Sequence, residues 1–256
     1  MMHKAKKSLG QNFLKSEIAL KKIVEAGEIG KSDVILEIGP GKGALTEKLL
    51  ASGCQLIAVE KDGELFEFLK EKFAEQIKSG SLILLNEDIL KFQISNFQFP
   101  KYKIIANIPY NITGAILKKF LTAEKQPERM VLMVQHEVAS RIIARDGKES
   151  ILSISVKAYG EPKMLMKVNK RYFSPAPKVD SAIIEIKNIS RQFFNKNKIT
   201  EEKFWEIVKT GFAHKRKKLS SNLKGVISPQ KLSSVNLGDK RAEDLTLSDW
   251  INLAKN

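Results

Sequence analysis

The stretch Ile105-Ala106-Asn107-Ile108-Pro109-Tyr110-Asn111 joins an apolar segment to a turn that carries an amide, a proline and an aromatic ring. The apolar segment, Tyr102 to Ala106, predicts a buried strand. In open α/β sheets, ligands bind at the carboxyl ends of the strands. Amide and proline carbonyl oxygens accept hydrogen bonds, and a tyrosine ring stacks on a planar base. The turn therefore predicts a site for a flat molecule with an exocyclic amine, such as adenine. An ordinary strand-to-helix turn with a buried tyrosine fits it equally well.

A second strand-to-helix turn lies nearer the start of the chain. The buried strand Val34–Ile38 runs into Gly39-Pro40-Gly41-Lys42-Gly43-Ala44, whose glycines let the backbone approach a ligand closely. The next strand, Leu56–Val59, ends at Glu60, about 20 residues beyond the glycine turn, where an acid suits ribose hydroxyls. A surface acid is the alternative for Glu60. The spacing also fits a nicotinamide dinucleotide site, which stays open at this point.

Strands and helices alternate along the first two thirds of the chain, which predicts an α/β fold with a doubly wound, mainly parallel sheet. A third strand, Leu82–Leu85, leads to Asp88 at the same sheet edge, so a second carboxylate is expected there. Two late strands, Lys163–Val168 and Ser181–Ile186, flank a proline-stiffened loop. Phe173 in that loop either forms a second aromatic wall of the site or packs in the core.

The composition changes after Lys187, and we expect a catalytic domain over residues 1–187 followed by a linker and a small α-helical domain over residues 188–256. The second region holds 14 Lys and Arg against seven Asp and Glu. It includes a dense basic run, predicted here as helical, whose members are Lys215, Arg216, Lys217 and Lys218. Such a module is typical of a grip on a phosphate backbone, although a solvated helix face has the same composition.

The whole chain of 256 residues carries a formal net charge of +15, which favours a nucleic-acid partner. No apolar run approaches the roughly 18 residues of a membrane span, and the basic N-terminus lacks the apolar core of a secretory signal. The single cysteine, Cys54, excludes an internal disulfide and fits a reducing compartment, so we expect a cytoplasmic protein. Three histidines at 3, 136 and 214 lack ligand spacing, so no metal is expected.

Five motifs in order resemble the ribosomal RNA adenine dimethyltransferases, and among them the small-subunit branch. They are Gly10–Leu14, Glu37–Gly43, Asn107–Tyr110, Phe173–Ser181 and the basic run at 214–218. The resemblance runs from about Lys6 to Leu253. It implies a Rossmann-like enzyme that uses S-adenosylmethionine to add two methyl groups to the 6-amino group of each of two adjacent adenosines. These two adenosines lie in a hairpin loop near the 3′ end of small-subunit (16S) rRNA.

The resemblance also implies roles for individual residues. Asn12 and Leu14 line the methionine and ribose side of the cofactor, Glu60 holds the ribose and Asp88 the adenine. The expected cofactor-binding residues are Gln11, Asn12, Leu14, Gly39, Gly41, Glu60, Asp88 and Asn107. The expected catalytic residues are Asn107, Pro109, Tyr110 and Phe173, and the expected RNA-binding residues are Lys215, Arg216, Lys217 and Lys218.

The expected partners are small-subunit rRNA and the immature small ribosomal subunit, with a role in small-subunit biogenesis and a monomeric state. Ile108 stands where the small-subunit branch usually has Leu, and is common in the erythromycin-resistance methyltransferases of large-subunit rRNA. That activity therefore remains an alternative. A non-catalytic nucleic-acid-binding protein on the same fold is another, as is a nicotinamide-dependent oxidoreductase.

Overall fold

The computed structural model describes residues 5–255, apart from the side chain of Lys7. His3 and the first four residues of the basic N-terminus lie outside the described residues. Within that range the strands are β1 (Phe13–Leu14), β2 (Val34–Ile38), β3 (Gln55–Glu60), β4 (Leu82–Asn86), β5 (Lys103–Asn107), β6 (Arg129–Gln135), β7 (Glu161–Val168), β8 (Phe173–Ser174) and β9 (Ser181–Lys187).

The helices begin with α1, which starts after Ser16, a residue whose side chain caps the helix by accepting the Ala19 N–H at 3.3 Å. They are α1 (Glu17–Gly27), α2 (Ala44–Ala51), α3 (Gly63–Lys72), α4 (Ala74–Lys78), α5 (Thr113–Leu121), α6 (His136–Ile143), α7 (Ile151–Lys157), α8 (Gln192–Asn197), α9 (Glu201–Gly211), α10 (Leu219–Asn222), α11 (Pro229–Ser234) and α12 (Leu247–Ala254). Short 3-10 turns lie at Lys7–Leu9, Ile94–Asn96, Tyr110–Ile112, Lys170–Tyr172 and Ala242–Asp244.

Seven strands form the central sheet in the order β4-β3-β2-β5-β6-β9-β7. The pairs from β4 across to β6 are parallel, and β9 lies antiparallel to β6. The predicted mainly parallel α/β sheet is therefore confirmed. After β2 the chain builds outward through β3 and β4, then returns to the other side of β2 with β5. The carboxyl ends of β2 and β5 thus flank a topological switch point, where ligands bind in such sheets.

The central strands are apolar because helices cover both faces of a parallel sheet. All five residues of β2 are buried, and the core beneath includes Leu20 and Ile23 from α1 and Leu45 and Leu49 from α2. Burying an aliphatic side chain of this size contributes about 1.5–3 kcal/mol each. This packing fixes the strand ends, and with them the loops that carry the polar motifs.

The chain divides into two compact units, and the division differs from the predicted boundary. The first holds residues up to Ala139 together with Lys163–Ile189, and the second holds Ser140–Pro162 with the residues from Ser190 onward. The sequence prediction assigned Ser140–Pro162 to the first domain. Its contacts explain the difference, because the Glu149 N–H donates to the Glu243 carbonyl at 2.8 Å and Tyr159 stacks on Trp205 at 6.3 Å between ring centroids.

No helix within residues 5–255 has the length and apolar character needed to cross a membrane.

Candidate active site

A cavity of about 540 Å³ lies at the switch point of the sheet, and all its walls belong to the first unit. Its lining comes from the N-terminal segment and from the loops that follow β2, β3, β4 and β5. The predicted residues that line it are Gln11, Asn12, Leu14, Gly39, Gly41, Glu60, Asp88, Asn107, Pro109 and Tyr110. One fold therefore gathers residues that are spread over a hundred positions of the sequence.

The glycine turn after β2 has the backbone conformation that its sequence predicts. Gly39 and Gly41 have φ of +66° and +61°, a region that disfavours any residue with a side chain. A Cβ on Gly41 would also lie 3.0 Å from the ring of Phe13. The turn therefore needs glycine both for its dihedral angles and for the close approach of the N-terminal segment.

Glu60, at the end of β3, is a buried lining residue and not a surface acid. It is 6% exposed, and its two carboxylate oxygens accept the Gly41 N–H at 3.0 Å and the Asp62 N–H at 2.9 Å. Desolvation by burial raises the pKa of Glu60 above its ordinary value. The carboxylate thus ties the glycine turn to the end of β3, and it retains acceptor positions for a ligand.

Asp88 follows β4 and is held as a charged acceptor. One oxygen pairs with Lys61 Nζ at 2.8 Å, and the other accepts the Leu90 N–H at 3.0 Å. The hydrogen bond from Lys61 lowers the pKa of Asp88 below its usual range. A carboxylate that stays ionised can accept a hydrogen bond from an amine in the cavity.

Asn107 ends β5, and its amide is oriented by the N-terminal segment. Its Nδ2 donates to the Asn12 carbonyl at 3.1 Å, so that its Oδ1 is left as the accepting end. The Asn12 side chain in turn donates to the Gly10 carbonyl at 3.0 Å. The chain thus fixes which end of the Asn107 amide can accept a hydrogen bond from a ligand.

Pro109 and Tyr110 complete this turn. The Pro109 carbonyl accepts the Ile112 N–H at 3.3 Å, a long contact that leaves a second lone pair. Tyr110 is half-buried, and its hydroxyl lies 2.5 Å from Ser181 Oγ. Burial raises the pKa of Tyr110 to about 12, so the phenol is neutral at physiological pH. The ring is therefore anchored at its far end beside the cavity.

The structure corrects the prediction that Phe173 forms an aromatic wall of the site. Phe173 is 2% exposed and belongs to the hydrophobic core, and it does not line the cavity. The reason is the antiparallel ribbon of β1 with β8, in which Phe173 pairs with Leu14. Leu14 lines the cavity and contributes to the same core, whereas Ser174 supplies the β8 side of the lining.

Two buried acidic residues, one that lines the cavity and one that adjoins its wall, were not singled out from the sequence. Glu37, in the middle of the run Val34–Ile38, is 1% exposed and lines the cavity. It accepts a 2.7 Å hydrogen bond from the Thr46 hydroxyl. Glu37 could have been recognised from the sequence, because a carboxylate inside an apolar strand directly before a glycine turn indicates a functional residue. The second residue, Asp62, binds the side chain of Gln11, whose Nε2 donates to Asp62 Oδ2 at 2.7 Å.

The predicted RNA-binding residues lie in the second unit and are exposed, but they do not form a helix. Helix α9 ends at Gly211, and residues 212–218 form a turn before α10. The Asn222 side chain accounts for the turn, because its Nδ2 donates to the carbonyls of Gly211 and His214 at 2.7 and 3.1 Å. Lys218 Nζ pairs with Asp239 at 2.7 Å. The predicted basic helix is therefore an exposed basic turn.

A metal site is not formed by the described residues, since no group of three or more His, Cys, Asp or Glu within residues 5–255 is arranged to hold one.

The family model described as ribosomal RNA adenine dimethylase matches residues 2–256. The chain belongs to this family. Two curated relatives carry the name Ribosomal RNA small subunit methyltransferase A. The one from Dehalococcoides mccartyi (strain CBDB1) is 40% identical over 98% of this chain and 87% of the relative, and the one from Fusobacterium nucleatum is 39% identical over 100% and 98%. The predicted resemblance is confirmed, and the chain is an rRNA adenine dimethyltransferase by family.

Solved structures give the same fold. A dimethyladenosine transferase from Plasmodium falciparum is 28% identical with a TM-score of 0.78, covering 94% of this chain and 95% of that one. The 23S rRNA methyltransferase ErmE is 25% identical with a TM-score of 0.77, covering 94% and 98%. The α/β methyltransferase fold is thus confirmed.

Glu37 gives a test of the site's electrostatics through stability. Burial, with a smaller contribution from the neighbouring Glu60, raises the pKa of Glu37 to about 8 from an ordinary value of 4.5. The folded state therefore holds this proton more tightly than the unfolded state, so stability falls as pH rises from about 4.5 to about 8. Between pH 5 and pH 8, we expect the melting temperature of Glu37→Gln to fall less than the melting temperature of the wild type.

Melting temperatures measured across this pH range check the expectation. The exposed Glu71 on α3 supplies the matched control, because Glu71→Gln also removes one carboxylate. Parallel curves for the wild type and Glu37→Gln would contradict the assignment of a buried, protonated Glu37.

Proposed function

We propose that this enzyme uses S-adenosylmethionine to dimethylate the N6 amines of two adjacent adenosines in the hairpin loop near the 3′ end of small-subunit (16S) rRNA. The proposal rests above all on the turn Asn107–Tyr110 at the carboxyl end of β5, where the Asn12 carbonyl orients the Asn107 amide. The family membership and the names of the relatives at 39–40% identity support the substrate.

The cavity suits the cofactor in size and in donor set. Its volume of about 540 Å³ lies within the range of small-molecule sites. Glu60 would accept hydrogen bonds from the ribose hydroxyls, and Asp88 would accept one from the adenine amine. Gly39 and Gly41 would let the backbone lie close to the cofactor. Asn12, Leu14 and Gln11 form the wall contributed by the N-terminal segment. The bound cofactor supplies a methyl group on a sulfonium, which is the electrophile.

Asn107 and Pro109 would activate the target base. The adenine amine is a poor nucleophile because its lone pair is delocalised into the ring. The Asn107 Oδ1 and the Pro109 carbonyl would accept hydrogen bonds from its two N–H groups, which would favour a pyramidal nitrogen with its lone pair available to the methyl group. Tyr110 stacks on the extruded base. Catalysis then rests on positioning and electrostatics, and it needs no nucleophilic side chain.

The second methylation places a further demand on this turn. A monomethylated amine has one hydrogen left to donate, so one of the two acceptors loses its partner. The Pro109 carbonyl keeps its contact with the Ile112 N–H at 3.3 Å in that case. Asn107, which has its Oδ1 held in place by Asn12, therefore supplies the acceptor for the second step.

The exposed basic turn would bind RNA phosphates near the target loop, as the net charge of +15 favours. The immature small ribosomal subunit is the proposed partner, with the enzyme acting as a monomer in the cytoplasm during small-subunit biogenesis. Large-subunit rRNA is the second candidate substrate. It is favoured by the likeness to ErmE, at a TM-score of 0.77, and by Ile108 within the catalytic turn.

Asn107→Ala tests the mechanism. We expect turnover to fall by about 10²-fold to 10³-fold, because the variant loses an acceptor that acts in the transition state. Cofactor affinity should change much less. Methyl transfer from labelled S-adenosylmethionine measures the first quantity, and calorimetric titration with S-adenosylhomocysteine measures the second. The exposed Asn96, replaced by Ala, is the matched control. Wild-type turnover in Asn107→Ala would contradict the mechanism.

Lys215, Arg216 and Lys217 test the role of the basic turn. Replacing all three by Ala should weaken RNA binding and flatten its dependence on salt, since each lost phosphate contact removes roughly 0.7–0.9 from the logarithmic slope. Cofactor affinity should stay unchanged. Fluorescence anisotropy with a small-subunit hairpin at several salt concentrations provides the measurement. Replacing Lys21, Lys22 and Lys31 together by Ala removes the same number of charges from the first unit. An equal loss of RNA affinity in that variant would contradict a specific role for the turn.

A further inference from the structure

Asp62, two residues after Glu60, has a buried carboxylate that is hydrogen-bonded by donors from two parts of the chain. Its side chain is 0% exposed, and it accepts from Lys6 Nζ at 2.8 Å and from Gln11 Nε2 at 2.7 Å. A further donor is the Glu64 N–H at 3.1 Å, which makes Asp62 the N-cap of α3. A buried carboxylate is costly unless it is paired and hydrogen-bonded. The strong donors come from the N-terminal segment, more than 50 residues away in the chain.

The N-terminal segment closes on itself at this point. The backbone N–H of Lys6 donates to Gln11 Oε1 at 2.7 Å, while the other end of the same amide donates to Asp62. Lys6 Nζ also lies 2.9 Å from Glu64 Oε1. Residues 6–11 therefore form a loop whose two ends are fastened to one carboxylate. We refer to Lys6, Gln11 and Asp62 as the clasp.

The clasp is connected to both parts of the site. On one side, the Asp62 N–H donates to Glu60 Oε1 at 2.9 Å, beside the Gly41 N–H that binds the other oxygen. On the other side, Gln11 is followed directly by Asn12, whose carbonyl accepts the Asn107 amide at 3.1 Å. The residue that carries this buried carboxylate is thus connected both to Glu60, the acid proposed to hold the ribose, and to Asn107, the amide proposed to bind the target amine.

We propose that Asp62 is a positioning residue of the methyl transfer, which fastens residues 6–12 along the cavity and so keeps the Asn12 carbonyl aimed at Asn107. The proposal rests on the proposed function. It gives Gln11, which was expected to bind the cofactor, a different task, because its side-chain amide joins the segment to Asp62. When the clasp opens, the Asn107 amide loses the acceptor that defines its orientation, and a shift of about 1 Å at a reacting centre costs about 10²-fold in rate.

Asp62→Asn tests the clasp, since it replaces an acceptor by a donor that faces the Gln11 amide. We expect turnover to fall about 10-fold to 100-fold and the amides of residues 6–12 to exchange hydrogen faster. Affinity for S-adenosylhomocysteine should fall less than turnover does. Glu67→Gln is the matched control, because it removes an exposed carboxylate of the same helix, α3, whose partner is Lys70 and not the N-terminal segment. It should behave as the wild type in all three measurements.

Combining Asp62→Asn with Gln11→Glu provides a rescue. The introduced amide then donates to the introduced carboxylate, which restores the bond with reversed polarity, so turnover and amide protection should recover in part. A merely structural role of Asp62 would lower the melting temperature without this recovery. If Asp62→Asn does not fold, Gln11→Ala opens the clasp while leaving the cap of α3 in place, and the same loss of turnover and protection is expected.

Two results would overturn the proposal. One is wild-type turnover in Asp62→Asn or Gln11→Ala with faster exchange at residues 6–12, because the segment would then not control Asn107. The other is a double variant no better than Asp62→Asn. Failure of the proposed function is distinguishable, since the wild type itself would then show no methyl transfer, while hydrogen exchange would still report whether the clasp closes.

Discussion

The site depends on a single hydrogen bond, from the Asn107 Nδ2 to the Asn12 carbonyl at 3.1 Å. It joins the carboxyl end of β5 to a segment 95 residues earlier in the chain. Because an amide has a donating and an accepting end, this bond decides which of them a target base meets. The Glu60 carboxylate serves a similar purpose for the glycine turn. The Glu60 contact exists because β2 and β3 end at one edge of the sheet, and the Asn107 contact exists because the segment before β1 passes that edge.

Much of this arrangement was predictable from the sequence. Apolar runs located the strands to within one or two residues, as with Leu56–Val59 against Gln55–Glu60 in the structure. Since carboxyl ends of parallel strands meet at one edge, Glu60, Asp88 and Asn107 could be assigned to a common site before any coordinates. Apolar runs are a local pattern, and the alternation of strands with helices restricts the topology to a parallel sheet, so both properties can be deduced from the sequence.

Other features could not be predicted, for physical reasons. Phe173 turns into the core because of the register of two-residue strands, which are too short to show a pattern. The basic run forms a turn in which the carbonyls of Gly211 and His214 accept hydrogen bonds from the Asn222 side chain. This contact forms only in the folded chain. Gln11 lies against Asp62 across 51 positions of sequence, and only the folded chain reveals that contact. The segment Ser140–Pro162 packs in the second unit, and the amino-acid composition of the segment gives no indication of this packing.

The activity proposed for this site is the dimethylation of adenosine in small-subunit rRNA. The most direct measurement offers the wild-type enzyme labelled S-adenosylmethionine with unmethylated small ribosomal subunits and, in parallel, with naked large-subunit rRNA. We expect N6,N6-dimethyladenosine in the small-subunit rRNA alone. Label in the large-subunit rRNA alone would contradict the substrate and leave the chemistry in place. Label in neither, with the cofactor bound, would contradict the claim that these rRNAs are substrates.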